Sequence, residues 1–78
     1  MFYTYVLLSQ VDNNFYIGFT KDLQKRLEEH MKGLVDSTKV RRPFKLVYYE
    51  ACLDEKKAIK REKYFKTGFG RRFLKSKV

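Results

Sequence analysis

The sequence predicts an α+β fold in which helices flank a small, mainly antiparallel sheet of three strands. Three segments are rich in aromatic and β-branched residues, and the first two of them flank an Asp-Asn-Asn cluster that is typical of a turn. Apolar residues recur at helical spacing in two other segments, and each segment follows a residue suited to capping a helix. The 78 residues are enough for one small domain, so we expect residues 1–78 to form a single unit of order β-β-α-β-α-α.

The first twenty residues are typical of a β-hairpin. We expect strands at about 2–9 and 15–19, joined by a turn at 11–14. Side chains alternate between the two faces of a strand, so Tyr3, Tyr5 and Leu7 should share one face. Tyr16 and Gly18 should share a face of the second strand, and we expect this to be the face of the sheet that also carries Tyr3 and Tyr5.

The first helix is predicted at about 21–32, with Thr20 as its N-cap and Gly33 as its end. A basic loop at 35–43 leads to the third strand at about 44–51. The apolar stripe of this helix is predicted to consist of Leu23, Leu27, Met31 and Leu34.

The second helix is predicted at about 54–67, between a capping Asp54 and a terminating Gly68. A short terminal helix is expected at about 70–77. The face of the second helix that should pack on the sheet contains Ala58, Glu62, Phe65 and Phe69.

The charge of the chain points to an anionic partner. Eighteen Lys and Arg against nine Asp and Glu give a net charge of +9, and residues 56–77 contain a single acid, Glu62. Such a field favours nucleic acid or an anionic membrane face. The single cysteine excludes a disulfide framework, and no apolar run approaches the roughly 18 residues of a membrane span. We therefore expect a cytoplasmic protein that does not cross a membrane.

Three features exceed what folding requires. A carboxylate at Glu62, inside an apolar stripe, costs desolvation energy unless it reaches solvent, pairs with a cation or binds a metal. Arg26 and His30 lie four residues apart on one flank of a helix, where they would either pack at the core edge or bind a phosphate. The tyrosines near Gly18 would form aromatic core, a base-stacking platform or a catalytic group.

These residues, in this order and spacing, resemble the GIY-YIG endonuclease family, and in particular its small stand-alone bacterial branch. The two motifs that name the family correspond to a degenerate Tyr3-Thr4-Tyr5 and an intact Tyr16-Ile17-Gly18. Phe19 stands where some repair nucleases of the family carry a lysine, and Lys21 is the nearest candidate for that role. The family's helical Arg, the His four residues later and the downstream metal-binding Glu match Arg26, His30 and Glu62.

The resemblance implies a metal-dependent nuclease that acts on DNA more readily than on RNA, as a monomer or a homodimer. Glu62 would hold Mg²⁺ or Mn²⁺, and Tyr5, Tyr16 or His30 would be the general base. The implied catalytic residues are Tyr5, Tyr16, Arg26, His30 and Glu62. The implied nucleic-acid-binding residues are Gly18, Lys21, Lys39, Arg41, Arg42 and Lys66. The alternatives are a basic nucleic-acid-binding module without activity and a small basic structural protein.

Overall fold

A computed structural model describes residues 1–78 and contains a three-stranded antiparallel sheet flanked by helices. The strands are β1 (Phe2–Ser9), β2 (Phe15–Thr20) and β3 (Phe44–Cys52), and their spatial order is β2-β1-β3. The helices are α1 (Leu23–Met31), α2 (Glu55–Phe65) and α3 (Gly68–Lys77), and a short 3₁₀ turn spans Lys39–Arg41. The predicted fold class and order of elements are confirmed. None of these helices is both long enough and apolar enough to span a membrane.

The hairpin has the predicted register of faces. Tyr5 lies opposite Gly18, and Leu7 lies opposite Tyr16, so these four side-chain positions share one face. In the turn, Asn13 adopts a φ of 60°, which asparagine tolerates better than most residues. The two tyrosine rings on this face are 6.4 Å apart between centroids.

The two faces of the sheet pack against different helices. On the face that α2 and α3 cover, the Thr4 hydroxyl donates a 2.7 Å hydrogen bond to the carbonyl of Ala58. On the other face, Tyr5 packs with its neighbours beneath α1. Each fully buried large apolar side chain stabilises the fold by about 1.5–3 kcal/mol. The first core consists of Val6, Ile17, Phe65 and Leu74, and the second consists of Tyr5, Leu7 and Phe44 with Leu23, Leu27 and Leu46 at its edge.

The prediction that Thr20 caps α1 was wrong by two residues. Asp22 is the N-cap, and its carboxylate accepts a 3.1 Å hydrogen bond from the N–H of Lys25. Thr20 instead accepts a hydrogen bond from the N–H of Asp22 and so shapes the turn before the helix. Asp54 caps α2 as predicted. The end of α1 is also as predicted, since Gly33 follows the C-cap with a φ of +76°.

Gly68 does not end the second helix. That helix ends at Phe65, and Gly68 is the first residue of α3, which Thr67 caps through its hydroxyl. The sharp turn directs Phe69 into solvent, although the sequence assigned it to the apolar stripe of α2. Met31 and Leu34 are exposed for a related reason, because α1 ends at Met31 and the chain turns away at Gly33.

Candidate active site

The site is built around the Tyr5 side chain, which lies directly over Gly18 of the neighbouring strand. A Cβ atom at Gly18 would lie 2.2 Å from Cζ of Tyr5, so only glycine leaves room for the ring. Tyr5 is 1% exposed. The strand register and this glycine together carry the Tyr5 hydroxyl across β2 toward α1.

Two groups from α1 meet the Tyr5 hydroxyl. Nε2 of His30 lies 2.8 Å from the hydroxyl oxygen, and the Arg26 guanidinium is near enough for its positive charge to act on the phenol. Burial raises the pKa of Tyr5 to about 12, although the positive charge and hydrogen bonding of Arg26 oppose the rise. At neutral pH the phenol is therefore protonated.

His30 is fully buried among aromatic rings. Its ring centroid lies 5.1 Å from that of Tyr16 and 6.4 Å from that of Phe44, in edge-to-face contacts. Nδ1 of His30 lies 2.8 Å from the hydroxyl oxygen of Thr38, which is also fully buried. Burial, and then the nearby Arg26 charge, lower the pKa of His30, so the imidazole is neutral at neutral pH.

Arg26 connects this buried cluster with solvent. Its side chain is 35% exposed and donates a 3.1 Å hydrogen bond to the Glu29 carboxylate. Arg26, Glu29 and Lys25 line a depression of about 380 Å³ beside the end of β2. A larger groove of about 800 Å³ lies between α1 and β3, but it contains none of the predicted catalytic residues. The smaller depression is the opening of the candidate site.

Glu62 lies on α2 with a side chain that is 22% exposed, and its carboxylate is 3.4 Å from Nζ of Lys66. It is close enough to Tyr5 for its negative charge to contribute to the raised pKa of that residue. The chain has no cluster of three or more His, Cys, Asp or Glu side chains that would hold a metal ion unaided. A single partly exposed carboxylate fits Mg²⁺, which usually keeps several waters and shares its coordination with substrate phosphates.

Comparison with known proteins shows the family of this chain. Residues 1–75 match the family model of the GIY-YIG catalytic domain. The chain belongs to the GIY-YIG family. It is 43% identical over 56 residues to the UPF0213 protein YazA of Bacillus subtilis, a match that covers 70% of this chain and 57% of that protein. It is 42% identical over 66 residues to a UPF0213 protein of Bacillus pumilus, covering 83% of this chain and 66% of that protein.

The fold agrees with that of a solved UPF0213 protein. The solution NMR structure of the UPF0213 protein BH0048 from Bacillus halodurans superimposes with a TM-score of 0.61 at 30% identity, over 97% of this chain and 84% of that chain. This chain spans less than two thirds of the length of the two Bacillus relatives above. It is a member of a nuclease family, and its resemblance to small bacterial members is confirmed.

The predicted nucleic-acid-binding residues of this GIY-YIG domain have varied surroundings. The Tyr5 ring occupies the space beside Gly18 on one face of β2, and contact between Gly18 and a phosphate stays a prediction. Lys21 lies over the Phe2 ring at 5.9 Å, Lys39 is 3.7 Å from the Asp36 carboxylate, and Lys66 pairs with Glu62.

Arg41 and Arg42 both bind other parts of the chain. Arg41 donates to both carboxylate oxygens of Asp12, at 2.7 and 3.3 Å, and holds the pKa of that carboxyl at about 2. Arg42 donates to the carbonyls of Lys39 and Met31, beyond the end of α1. Their contact with nucleic acid stays a prediction, and it would have to compete with these bonds.

Thr38 and Glu29 also belong to the site, although no sequence pattern marks either residue. Glu29 is one of several acids on an exposed helix, and only the ion pair with Arg26 distinguishes it. Thr38 lies in a loop without periodicity, where a hydroxyl that contacts a histidine has no sequence signal. The charge of residues 56–77 indicates a solvent-exposed basic surface, and most cations of this segment are exposed. They are Lys56, Lys57, Lys60, Lys63, Lys66, Arg71, Arg72, Lys75 and Lys77.

Proposed function

We propose that this protein is a divalent-metal-dependent endonuclease that hydrolyses phosphodiester bonds in DNA with little sequence specificity. The observation that carries the proposal is the hydrogen bond between Tyr5 and His30 beside the Arg26 guanidinium. It joins a hydroxyl, a proton acceptor and a phosphate-binding cation at one edge of the sheet. Membership of the GIY-YIG family supports the nuclease activity itself.

Tyr5 and His30 together would accept the proton of the attacking water. Hydrolysis requires a water molecule to lose a proton as it attacks phosphorus in line with the leaving oxygen. Tyr5 would accept that proton while its own proton passes to Nε2 of His30, 2.8 Å away. Tyr16 contacts the His30 ring edge-on and makes no hydrogen bond to it, so Tyr5 is the better candidate for the base.

Arg26 would bind the scissile phosphate. Its planar guanidinium suits two oxygens of one phosphate, and its exposed part faces the depression that opens to solvent. In the free protein Glu29 neutralises this guanidinium. A bound phosphodiester would therefore take the place of Glu29.

Glu62 would hold the divalent ion, most suitably Mg²⁺, and the bound ion would supply a Lewis acid for the developing charge on the phosphate. Lys66 would have to release the Glu62 carboxylate for this to occur. The exposed cations of α2 and α3 would bind flanking phosphates, which carry no sequence information. The basic surface would therefore supply most of the affinity for DNA, and the tyrosine site with Glu62 would supply the catalysis.

The test is cleavage of end-labelled DNA in Mg²⁺ or Mn²⁺ by the wild type and by Glu62→Ala. We expect the substitution to abolish metal-dependent cleavage and to leave DNA binding, measured by fluorescence anisotropy, within about twofold. Unfolding free energy should change by no more than about 0.5 kcal/mol, because the lost ion pair lies at a helix surface. Glu28→Gln is the matched control, since Glu28 is an exposed helical carboxylate outside the site.

Three results would contradict the proposal. Glu62→Ala could retain cleavage, or it could unfold, which would make Glu62 a structural ion-pair partner. The wild type could bind DNA, with an affinity that falls steeply with salt, and cut nothing in any divalent metal; the protein would then be a basic binding module. A matched RNA substrate distinguishes the two nucleic acids, and faster RNA cleavage would overturn the assignment to DNA.

A further inference from the structure

Three buried side chains form a chain of hydrogen bonds that ends in a loop well separated in sequence from the two tyrosine motifs. The Tyr5 hydroxyl lies 2.8 Å from Nε2 of His30, and Nδ1 of the same ring lies 2.8 Å from the Thr38 hydroxyl. All three residues are 0–1% exposed. A neutral imidazole carries one proton, so one of its nitrogens donates and the other accepts.

The acceptor at one end of this chain determines the direction of the bonds in it. The Thr38 hydroxyl donates a 3.3 Å hydrogen bond to the carbonyl of Val35, which can only accept. The hydroxyl has no second proton, so it accepts from Nδ1 of His30. Nε2 then carries no proton and accepts the proton of the Tyr5 hydroxyl.

We propose that Thr38 is a positioning residue that fixes His30 in the tautomer protonated on Nδ1, so that unprotonated Nε2 faces Tyr5. The proposal rests on the proposed nuclease function for its consequence, because only an unprotonated Nε2 can receive the proton of Tyr5. The opposite tautomer would direct an N–H at the Tyr5 oxygen and leave the tyrosine without that acceptor.

The loop that carries Thr38 is attached to the end of the hairpin, which keeps the hydroxyl in place. The Ser9 hydroxyl donates a 2.7 Å bond to the carbonyl of Arg41, and the Gln10 N–H donates a 2.8 Å bond to the carbonyl of Pro43. The ion pair between Arg41 and Asp12 joins the same two segments. These contacts give the basic loop a function in the site that does not require it to touch nucleic acid.

The experiment uses the fact that His30 is the only histidine in the chain. A protein labelled with ¹⁵N-histidine gives one pair of ring nitrogen signals, and their shifts show which nitrogen is protonated. We expect Nδ1–H in the wild type. Thr38→Val removes the acceptor while keeping the shape, and it should give a mixture of tautomers or the Nε2–H form. Thr38→Ser keeps the hydroxyl and should restore the wild-type signals.

Thr4→Val is the matched control, because Thr4 is equally buried and its hydroxyl also makes a buried hydrogen bond, to the carbonyl of Ala58 on the other face of the sheet. It should lose comparable stability without changing the His30 signals. In cleavage assays at saturating DNA, Thr38→Val should be about 10- to 100-fold slower, the usual cost when a metal-bound histidine loses the partner that orients it. Thr4→Val and Thr38→Ser should stay close to the wild type.

Several outcomes would overturn the inference. They are an Nε2–H signal in the wild type, or a Thr38→Val protein that keeps the Nδ1–H tautomer, or a Thr4→Val protein that loses it. If Thr38→Val does not fold, Thr38→Ala removes the same hydroxyl without adding a methyl group, and the same spectrum decides. A wild type that cuts no DNA but shows the Nδ1–H tautomer would refute the nuclease function and support the tautomer assignment.

Discussion

Replacing Gly18 by alanine is expected to displace the Tyr5 ring by a distance that the structure specifies. A Cβ at Gly18 would lie 2.2 Å from Cζ, 2.3 Å from the hydroxyl oxygen and 2.7 Å from Cε1 of Tyr5. Ordinary van der Waals contact begins at 3.4 Å, so the ring must move by about 1.2 Å. The ring cannot easily absorb this movement, since Tyr5 is 1% exposed and packs beneath α1.

The displacement has a cost in stability and a cost in hydrogen bonding. Overpacking of this kind costs about 1–3 kcal/mol. For a domain of this size, each kcal/mol lowers the melting temperature by about 4–8 °C, so we expect a fall of about 5–20 °C. A movement of about 1.2 Å also lengthens the 2.8 Å bond between Tyr5 and His30 beyond hydrogen-bond range if it is directed away from His30.

The assay is thermal unfolding followed by circular dichroism, with Gly68→Ala as the matched control. An added Cβ at Gly68 meets nothing within 4 Å, and Gly68 begins α3, so this variant should be unchanged or slightly more stable. A double variant with Tyr5→Leu should recover part of the loss caused by Gly18→Ala, because the clashing ring is gone. Two results would contradict this reasoning. Gly18→Ala could melt at the same temperature as Gly68→Ala, or the stability losses of Gly18→Ala and Tyr5→Leu could simply add in the double variant. In either case the close approach of Tyr5 to Gly18 does not constrain this site.

Two further predictions follow from ion pairs. Lys66→Gln frees the Glu62 carboxylate, so the Mg²⁺ concentration for half-maximal cleavage should fall about twofold, the value of an exposed helical pair; an unchanged or higher requirement would show that Lys66 does not compete with the metal for Glu62. Asp12 has a pKa of about 2 in the folded protein against 3.8 ordinarily, so its contribution to stability is complete above about pH 4 and disappears as the pH falls through 2. In urea unfolding, the difference between wild type and Asp12→Asn should shrink over this interval, and a constant difference would contradict the role of the pair with Arg41.

The sequence predicted the parts of the fold that depend on a repeating pattern of apolar and polar residues. Alternation along two strands placed Tyr5 and Tyr16 on one face, and the register confirms it. Helical spacing placed Leu23 and Leu27 toward the sheet, where they pack against the second core. These patterns are readable because each is repeated several times within one element.

The ends of elements were less predictable because single residues compete there. Thr20 and Asp22 can both cap a helix, and the carboxylate reaches the N–H groups of the first turn. On a helical wheel Phe69 continues the apolar stripe of α2, but the chain turns at Thr67 and exposes the Phe69 side chain. Local turn geometry, which a helical wheel does not contain, decided both positions.

The residues of the candidate site also differ in how well the sequence predicted them. Tyr5, Arg26 and His30 were recognisable because their order and spacing match a family pattern, and the structure brings them into contact. Glu62 was noticed because a carboxylate interrupts an apolar stripe. Thr38 could not be predicted, since its contact with His30 depends on how a loop of irregular structure folds back on α1.

The separation of the two faces of β1 has a consequence for how mutations in this protein will sort. Along one strand, consecutive residues belong to different cores: Thr4 and Val6 face α2 and α3, while Tyr5 and Leu7 face α1 and the core next to His30. Substitutions at Thr4 and Val6 should therefore lower stability without disturbing His30, whereas substitutions at Tyr5 should lower stability and disturb the candidate site as well. In a mutational scan of this strand, even-numbered positions should report on the stability of the scaffold alone, and odd-numbered positions should report on the candidate site as well.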